Sequence, residues 1–159
     1  MLYFAYASNL DPDQMRERCP HHTPVGLAAL RDHRLAFPLY SERWGGGAAS
    51  VVPAHGQAVW GYLYELSDED VASQDFHEGW HGPGDPSNRY DRETVTVDLV
   101  RPDDGSVPRR VRALAYIGRP TEPAPPNRRY LDAILKGARH HRLPEEYVTA
   151  LAGIPVNGE

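Results

Sequence analysis

Apolar and polar positions alternate most cleanly over residues 57–66. There Ala58, Trp60, Tyr62, Tyr64 and Leu66 interleave with Val59, Gly61, Leu63 and Glu65. A period of two in aromatic and β-branched residue types predicts a strand. Residues 90–100 alternate in the same way, with Glu93, Val95, Val97 and Leu99 on one side. After the turn Pro102-Asp103-Asp104-Gly105, residues 107–117 return as a second strand, so this pair predicts a hairpin. Residues 25–40 are rich in Val, Leu, Ala and Phe, with a polar break at Arg31-Asp32-His33 that predicts two strands. Trp44-Gly45-Gly46-Gly47 predicts a tight turn before another strand at Ala49-Ser50-Val51-Val52. Tyr3-Phe4-Ala5-Tyr6 predicts a short strand at the start.

Helical signals lie between and after these strands. Asp11-Pro12-Asp13-Gln14 combines an N-cap residue, a proline at the first helical position and a glutamine at the capping-box position, and the helix stops before Pro20. Ser67 with Asp70 opens a second helix over residues 68–77, with Glu78-Gly79 at its end and a Gly/Pro-rich loop from His81 to Asn88. Asn127 caps a third, running to about Arg142, in which Tyr130, Leu131, Ile134, Leu135 and Ala138 recur at helical spacing. Pro144-Glu145-Glu146 opens a last short helix that Gly153 ends. Strands joined mainly by hairpins, with helices placed irregularly among them, predict an α+β fold. Its sheet is expected to be a small mixed, mostly antiparallel β-barrel or curled sheet with flanking helices.

Composition narrows the class. A chain of 159 residues with no internal repeat and no linker is expected to form one domain, residues 1–159, with a substantial core. Hydrophobic residues at 40% and charged residues at 25% are ordinary for a globular protein. The 17 basic and 22 acidic residues give a formal net charge of −5, which argues against a nucleic-acid partner. No apolar run reaches membrane-spanning length, and the start lacks the charged segment and long apolar core of a signal peptide. The lone Cys19 has no partner for an internal disulfide, in keeping with a reducing compartment. The expectation is a cytoplasmic protein with no nucleic-acid and no membrane partner.

Candidate chemistry begins at the first strand. A strand that ends in the small turn Ala7-Ser8-Asn9-Leu10 and opens a helix presents free backbone N–H groups, strengthened by the helix dipole. Residues 6–10 are therefore a candidate site for a small anion, although the same unit often serves only as a connector. His77-Glu78-Gly79-Trp80-His81 matches H-E-x-x-H, in which two histidines bind zinc and the glutamate activates water. Against it, Gly79 would lie inside the helix and Gly82-Pro83-Gly84 would end it at once. Ser8 lacks the G-x-S-x-G surroundings of an activated serine. The glycines at 45–47 lack the Lys-Ser/Thr of a phosphate loop. His21-His22 are expected in a solvated loop. A third possibility is Glu78 alone as general acid and base. Beside Phe76 and Trp80 its carboxyl would be partly desolvated and its pKa raised, though a solvated helix-end glutamate has the same sequence appearance.

Residues 3–10, Tyr-Phe-Ala-Tyr-Ala-Ser-Asn-Leu, resemble the Y-F-A-Y-G-S-N-L signature of the γ-glutamylcyclotransferase family. The resemblance continues through Trp44-Gly45-Gly46-Gly47-Ala48, Val59-Trp60-Gly61 and Asp75-Phe76-His77-Glu78-Gly79, the last matching the D-x-x-E-G segment that carries the family's catalytic glutamate. It extends to Ala124-Pro125-Pro126, Tyr130, Gly137-Ala138 and Leu143-Pro144-Glu145-Glu146-Tyr147. It implies a cofactor-independent reaction on a small γ-glutamyl compound. The substrate's α-amine attacks its own γ-amide carbonyl, 5-oxoproline closes, and an amine or amino acid leaves. The resemblance makes Glu78 the catalytic residue and places Tyr3, Phe4, Ala5, Tyr6, Ala7, Ser8 and Asn9 at the substrate, with Tyr116 and Tyr130 contributing further contacts. It requires no cofactor and no metal, and it raises a homodimer as the assembly. The zinc hydrolase built on His77, Glu78 and His81, and a non-catalytic small-molecule binding module, stand as alternatives. Two departures bear on the site. Ala7 replaces the signature glycine, which is tolerated if the position needs smallness rather than positive φ. The segment between Glu78 and Tyr90 is longer than in familiar eukaryotic enzymes and borders the expected site; His77 and His81 are expected as loop residues, with His81 in reach of the substrate.

Overall fold

The computed structural model describes residues 1–158. Its strands are β1 (Leu2–Ala5), β2 (Thr23–Ser41), β3 (Gly46–Glu65), β4 (Tyr90–Pro102) and β5 (Arg109–Gly118). They close into a barrel in the order β1-β3-β2-β4-β5. Only the β1–β5 seam, with Tyr3 opposite Leu114, is parallel; the other neighbours are antiparallel. The helices are α1 (Pro12–Arg18), α2 (Asp68–Glu78), α3 (Arg128–His140) and α4 (Glu145–Ala152). The expected α+β class, the mixed barrel and the β4–β5 hairpin are all present. Among the described residues no helix is long and apolar enough to cross a membrane.

Two expectations about strands need correction. Residues 25–40 form one strand rather than two. Asp32, with a left-handed φ of 59°, stands alone on β2 between Arg31, opposite Ala58, and His33, opposite Pro53, so the extra residues 54–57 bulge out of β3 while Asp32 keeps β2 continuous. Its Oδ1 accepts the N–H of Gly56 on the facing strand at 3.0 Å, so the polar break bends the ladder without ending it. For the same reason residues 49–52 and 57–66 are two halves of β3. Together β2 and β3 make the long hairpin that walls the barrel. Its turn is held by Gly45 N–H donating to Ser41 O at 2.8 Å and Trp44 N–H donating to Ser41 Oγ at 3.1 Å.

The helix starts follow their sequence signals. Asp11 accepts from Asp13 N–H, Ser67 from Asp70 N–H and Asn127 from Arg129 N–H, each at about one hydrogen bond's length. Helix α3 lays Tyr130, Leu131, Ile134, Leu135 and Ala138 into the core, and the large side chains there contribute about 1.5–3 kcal/mol each. Gly137 is the contact that brings α3 close: a Cβ there would stand 2.1 Å from the Leu10 carbonyl carbon. That contact fixes the turn after β1 against α3. His21 is exposed as expected. His22 is not solvated: its Nδ1 lies 2.7 Å from Cys19 O and its ring packs edge-on against Tyr64.

Candidate active site

The short β1 delivers the chain to a 3-10 turn at Ser8–Leu10, closed by Leu10 N–H donating to Ala7 O and Asp11 N–H donating to Ser8 O, both at 3.0 Å. Ala7, Ser8 and Asn9 all line the cavity that this turn borders, and no backbone acceptor for their N–H groups occurs among the described residues, in keeping with the strand–turn–helix pattern. Ala7 has φ −131°, so the position needs a small side chain and not a left-handed backbone. Gln14 does not close a capping box. Its Nε2 donates to Ser8 Oγ at 2.7 Å and to Asn9 Oδ1 at 2.8 Å, bracing the turn from α1 instead.

Asn9 passes this bracing into the barrel. Its Nδ2 donates to the Tyr3 hydroxyl at 2.9 Å, while Arg18 Nη1 donates to its Oδ1 at 3.3 Å. The Tyr3 hydroxyl accepts a second bond, from Gln74 Nε2 at 3.2 Å. The same Gln74 nitrogen donates to Glu78 Oε1 at 2.9 Å, one helical turn further along α2. A continuous chain of polar contacts therefore links the opening turn to the glutamate some seventy residues away in sequence. With both lone pairs of Tyr3 occupied, its own O–H remains for a ligand.

Glu78 is the last residue of α2, and Gly79 ends the helix in the left-handed conformation at φ 68°. Packed protein on one side and the cavity on the other desolvate its carboxyl and push its pKa up from the ordinary carboxylate value. The charges of Arg18 and Arg89, the Gln74 hydrogen bond and Arg43 pull in the opposite direction and only partly offset it.

The cavity facing Glu78 has a volume of about 80 Å³. Of the residues expected at the substrate, Tyr3, Tyr6, Ala7, Ser8, Asn9, Tyr116 and Tyr130 line it together with Glu78. Tyr6 O–H donates to Tyr116 O at 2.5 Å. Tyr116 O–H donates to Asp75 Oδ1 at 2.6 Å, and Arg92 Nη1 holds the other carboxylate oxygen at 2.8 Å. Tyr116 thus offers its ring rather than its hydroxyl hydrogen. Tyr130 accepts the Ala49 N–H at 2.9 Å and keeps its own O–H free for the cavity. Phe4 and Ala5 do not line the cavity. Both are fully buried, and Phe4 packs against Gly61 on β3, on the opposite face of β1 from Tyr3.

Several further wall residues were not among those expected at the substrate. Ser41, Arg43, Trp44, Ala48 and Ala49 come from the β2–β3 turn and the start of β3; Arg18, His77, Arg89 and Tyr90 complete the wall. Tyr90 O–H donates to Ala49 O at 2.7 Å, so Tyr90 and Tyr130 clamp the two polar groups of one β3 residue. Gln74 is the functional residue whose signal was present: it precedes Glu78 by four positions in a helix, which puts both on one face.

The alternative chemistries fail on geometry. Gly79 ends α2 between His77 and His81, so the two histidines do not share a helix face. His77 Nδ1 lies 2.8 Å from Ser73 O, His81 lies outside the cavity wall, and no cluster of three metal-ligating side chains occurs among the described residues. Ser8 Oγ is bonded to Gln14 and has no histidine partner.

Comparison with known proteins identifies the family. The sequence profile of the AIG2-like family matches residues 58–151, more than half of the chain. The chain is 32% identical to mouse γ-glutamylcyclotransferase over 161 aligned residues, covering 98% of this chain and 79% of that protein. It is 30% identical to the human enzyme of the same name, with the same coverage. A solved structure of a γ-glutamyl cyclotransferase superposes with a TM-score of 0.86 at 29% identity, covering 100% of this chain and 90% of that one. YkqA from Bacillus subtilis shares the fold at a TM-score of 0.75 and 23% identity, covering 98% of this chain and 55% of that one. With the turn, the helix-end glutamate and these relatives in agreement along the whole chain, the protein belongs to the AIG2-like γ-glutamylcyclotransferase family.

Proposed function

We propose that this protein is a γ-glutamylcyclotransferase in which Glu78 moves the proton and the turn at residues 7–9 holds the γ-glutamyl group. The observation that carries the reading is the shared cavity: a desolvated carboxyl at a helix end lines it together with the turn residues Ala7, Ser8 and Asn9. The α-carboxylate or the developing oxyanion of a γ-glutamyl substrate meets the backbone amides of that turn. The α-ammonium meets Glu78, loses a proton to it and attacks the γ-carbonyl carbon. The C–N bond to the leaving amine breaks as that nitrogen takes the proton back from Glu78; Glu78 then takes the second proton of the attacking nitrogen and passes it to the departing amine, releasing 5-oxoproline and an ammonium. The nucleophile is the substrate's own nitrogen, so no serine or cysteine is needed. Curling the chain so that amine and carbonyl meet is worth roughly 7–11 kcal/mol of alignment. The Tyr3 and Tyr130 hydroxyls orient the glutamyl group. By this reading the protein serves the turnover of γ-glutamyl peptides such as glutathione breakdown products. We place it in the cytoplasm, where the Cys19 thiol, pushed up to about 12 by burial, stays reduced and inert.

The test is 5-oxoproline release from γ-glutamyl dipeptides by the wild type and Glu78→Gln. The substitution is expected to lower kcat by about 10²–10⁴-fold, the usual contribution of a positioned acid/base. A folded-state pKa above the unfolded one means that the charged carboxyl costs stability at neutral pH, a cost that disappears as pH falls through the raised value. Glu78→Gln is therefore expected to melt no lower than the wild type at pH 7. Full activity in a folded Glu78→Gln protein overturns the assignment.

A further inference from the structure

The cavity carries more positive charge than its glutamate balances. Arg18, Arg43 and Arg89 line it against one carboxylate, Glu78, in a protein whose formal net charge is −5. Elsewhere on the barrel several arginines meet carboxylates: Arg31 and Arg110 with Asp98, Arg92 with Asp75, Arg119 with Asp91. Among the described residues no carboxylate lies within ion-pair distance of Arg18, Arg43 or Arg89. Arg18 is 7% exposed and bonded to Asn9, so it belongs to the back wall under the turn. Arg43 and Arg89 are exposed and line the same cavity, one from the β2–β3 turn and one from the loop before β4. Arg43 rides the β2–β3 turn beside Trp44, its Cζ 5.7 Å from the ring centroid. Arg129 sits on the same indole at 4.9 Å and donates to Arg43 O at 3.3 Å, which fixes the turn but adds another cation. Arg89 is the last residue of the loop after α2. Its stem packs on Gly79, its N–H donates to Gly79 O at 3.1 Å and its Nη2 to Tyr40 O at 3.1 Å. Each guanidinium is thus positioned with donors left over, and each carries like charge nearby. Burial, with Arg18 and Arg129 next, holds the Arg43 guanidinium below its ordinary range.

We propose that Arg43 and Arg89 form a leaving-group subsite that selects amines carrying carboxylates, with acidic amino acids preferred. The inference deepens the γ-glutamylcyclotransferase reading and rests on it. The backbone amides of residues 7–9 take the anionic end of the glutamyl group, so Arg43 and Arg89 face the group that departs. A neutral amino acid as leaving group brings one carboxylate; an acidic one brings two, one per arginine, and cancels the site's surplus. An alkylamine brings none and leaves both cations unpaired. Guanidinium–carboxylate pairs are favoured when the planar fork meets both oxygens.

The test compares kcat/KM for γ-glutamyl-glutamate, γ-glutamyl-alanine and γ-glutamyl-propylamine at low salt. The expected order is acidic, neutral, alkyl, with about tenfold between successive members at most. In Arg43→Gln/Arg89→Gln the ratio of the acidic to the alkyl substrate is expected to fall by about tenfold or more, and Arg43→Lys/Arg89→Lys to restore part of it. Added salt should compress the same ratio in the wild type. A flat substrate order, or equal losses on all three substrates in the double variant, overturns the subsite. If no substrate yields 5-oxoproline, the parent reading fails by itself. Calorimetric binding of γ-glutamyl-glutamate then decides this one: about tenfold weaker binding in the double variant sustains it and equal binding ends it.

Discussion

At the scale of single residues, the site turns on how Glu78 is kept both basic enough and protonatable enough to return what it takes. Desolvation raises its pKa, and the Gln74 hydrogen bond to Oε1 is one of the contacts that restrains the rise. The free-enzyme profile of kcat/KM needs the Glu78 carboxylate, so activity should be lost as pH falls through that raised value. Gln74→Leu removes a donor to the charged form, and the acid limb should move to higher pH. A purely structural loss would lower the whole profile without moving the limb, which the pH–rate curve distinguishes directly. Residue identity alone carried much of this: the signature pointed to Tyr3, Tyr6, Ala7, Ser8 and Asn9, and the E-G pair to Glu78. It also pointed to Phe4 and Ala5, which are fully buried in the core and do not line the cavity. Contiguity in a motif does not separate the residues facing a ligand from those between them. Gln14 was misread for a related reason, since its sequence position fits a cap while its side chain has better acceptors in the turn.

At the scale of elements, each helix start was visible because a cap is a local arrangement of three or four residues. The long strands were not, because whether a polar triplet ends a strand or bulges it depends on the strand opposite. Asp32 is held by Gly56 across the ladder, a partner that no local window contains. The contact of α3 with the opening turn is similarly non-local. Gly137 meets the Leu10 carbonyl carbon, oxygen and Cβ, all within 2.4 Å of where its own Cβ would stand. Gly137→Ala therefore overpacks backbone against backbone, and the helix must back away from the turn. The expected loss of stability is about 1–3 kcal/mol, read by urea titration. Because Leu10 directly follows Ser8 and Asn9, kcat/KM should fall as well. A variant that stayed as stable and as active as the wild type would show that α3 does not set the position of the turn.

At the scale of the molecule, the barrel explains why residues so far apart in sequence meet. β1 lies between β3 and β5 and carries Tyr3; β5 carries Tyr116; β3 carries Ala48 and Ala49; the loop before β4 carries Arg89. Helices α1, α2 and α3 add Arg18, Glu78 and Tyr130 from outside. The fold class followed from alternating strands and hairpins, but the parallel β1–β5 seam that closes the barrel leaves no local mark. It is set by which edges remain open once the hairpins have formed. One consequence is cooperativity between site and fold. The cavity draws on all five strands, β4 through Tyr90, so no strand can detach without removing a wall of it. Tyrosine and tryptophan fluorescence and 5-oxoproline release should accordingly disappear together on urea titration. A loop-built site would behave differently, losing activity well before the core signal. At usual urea slopes, a gap of about 1 M between the two midpoints corresponds to roughly 1–3 kcal/mol of separate local stability. Such a gap would mean that the turn at residues 7–9 opens independently of the barrel, and coincident midpoints would mean that closing the barrel and assembling the site are a single event.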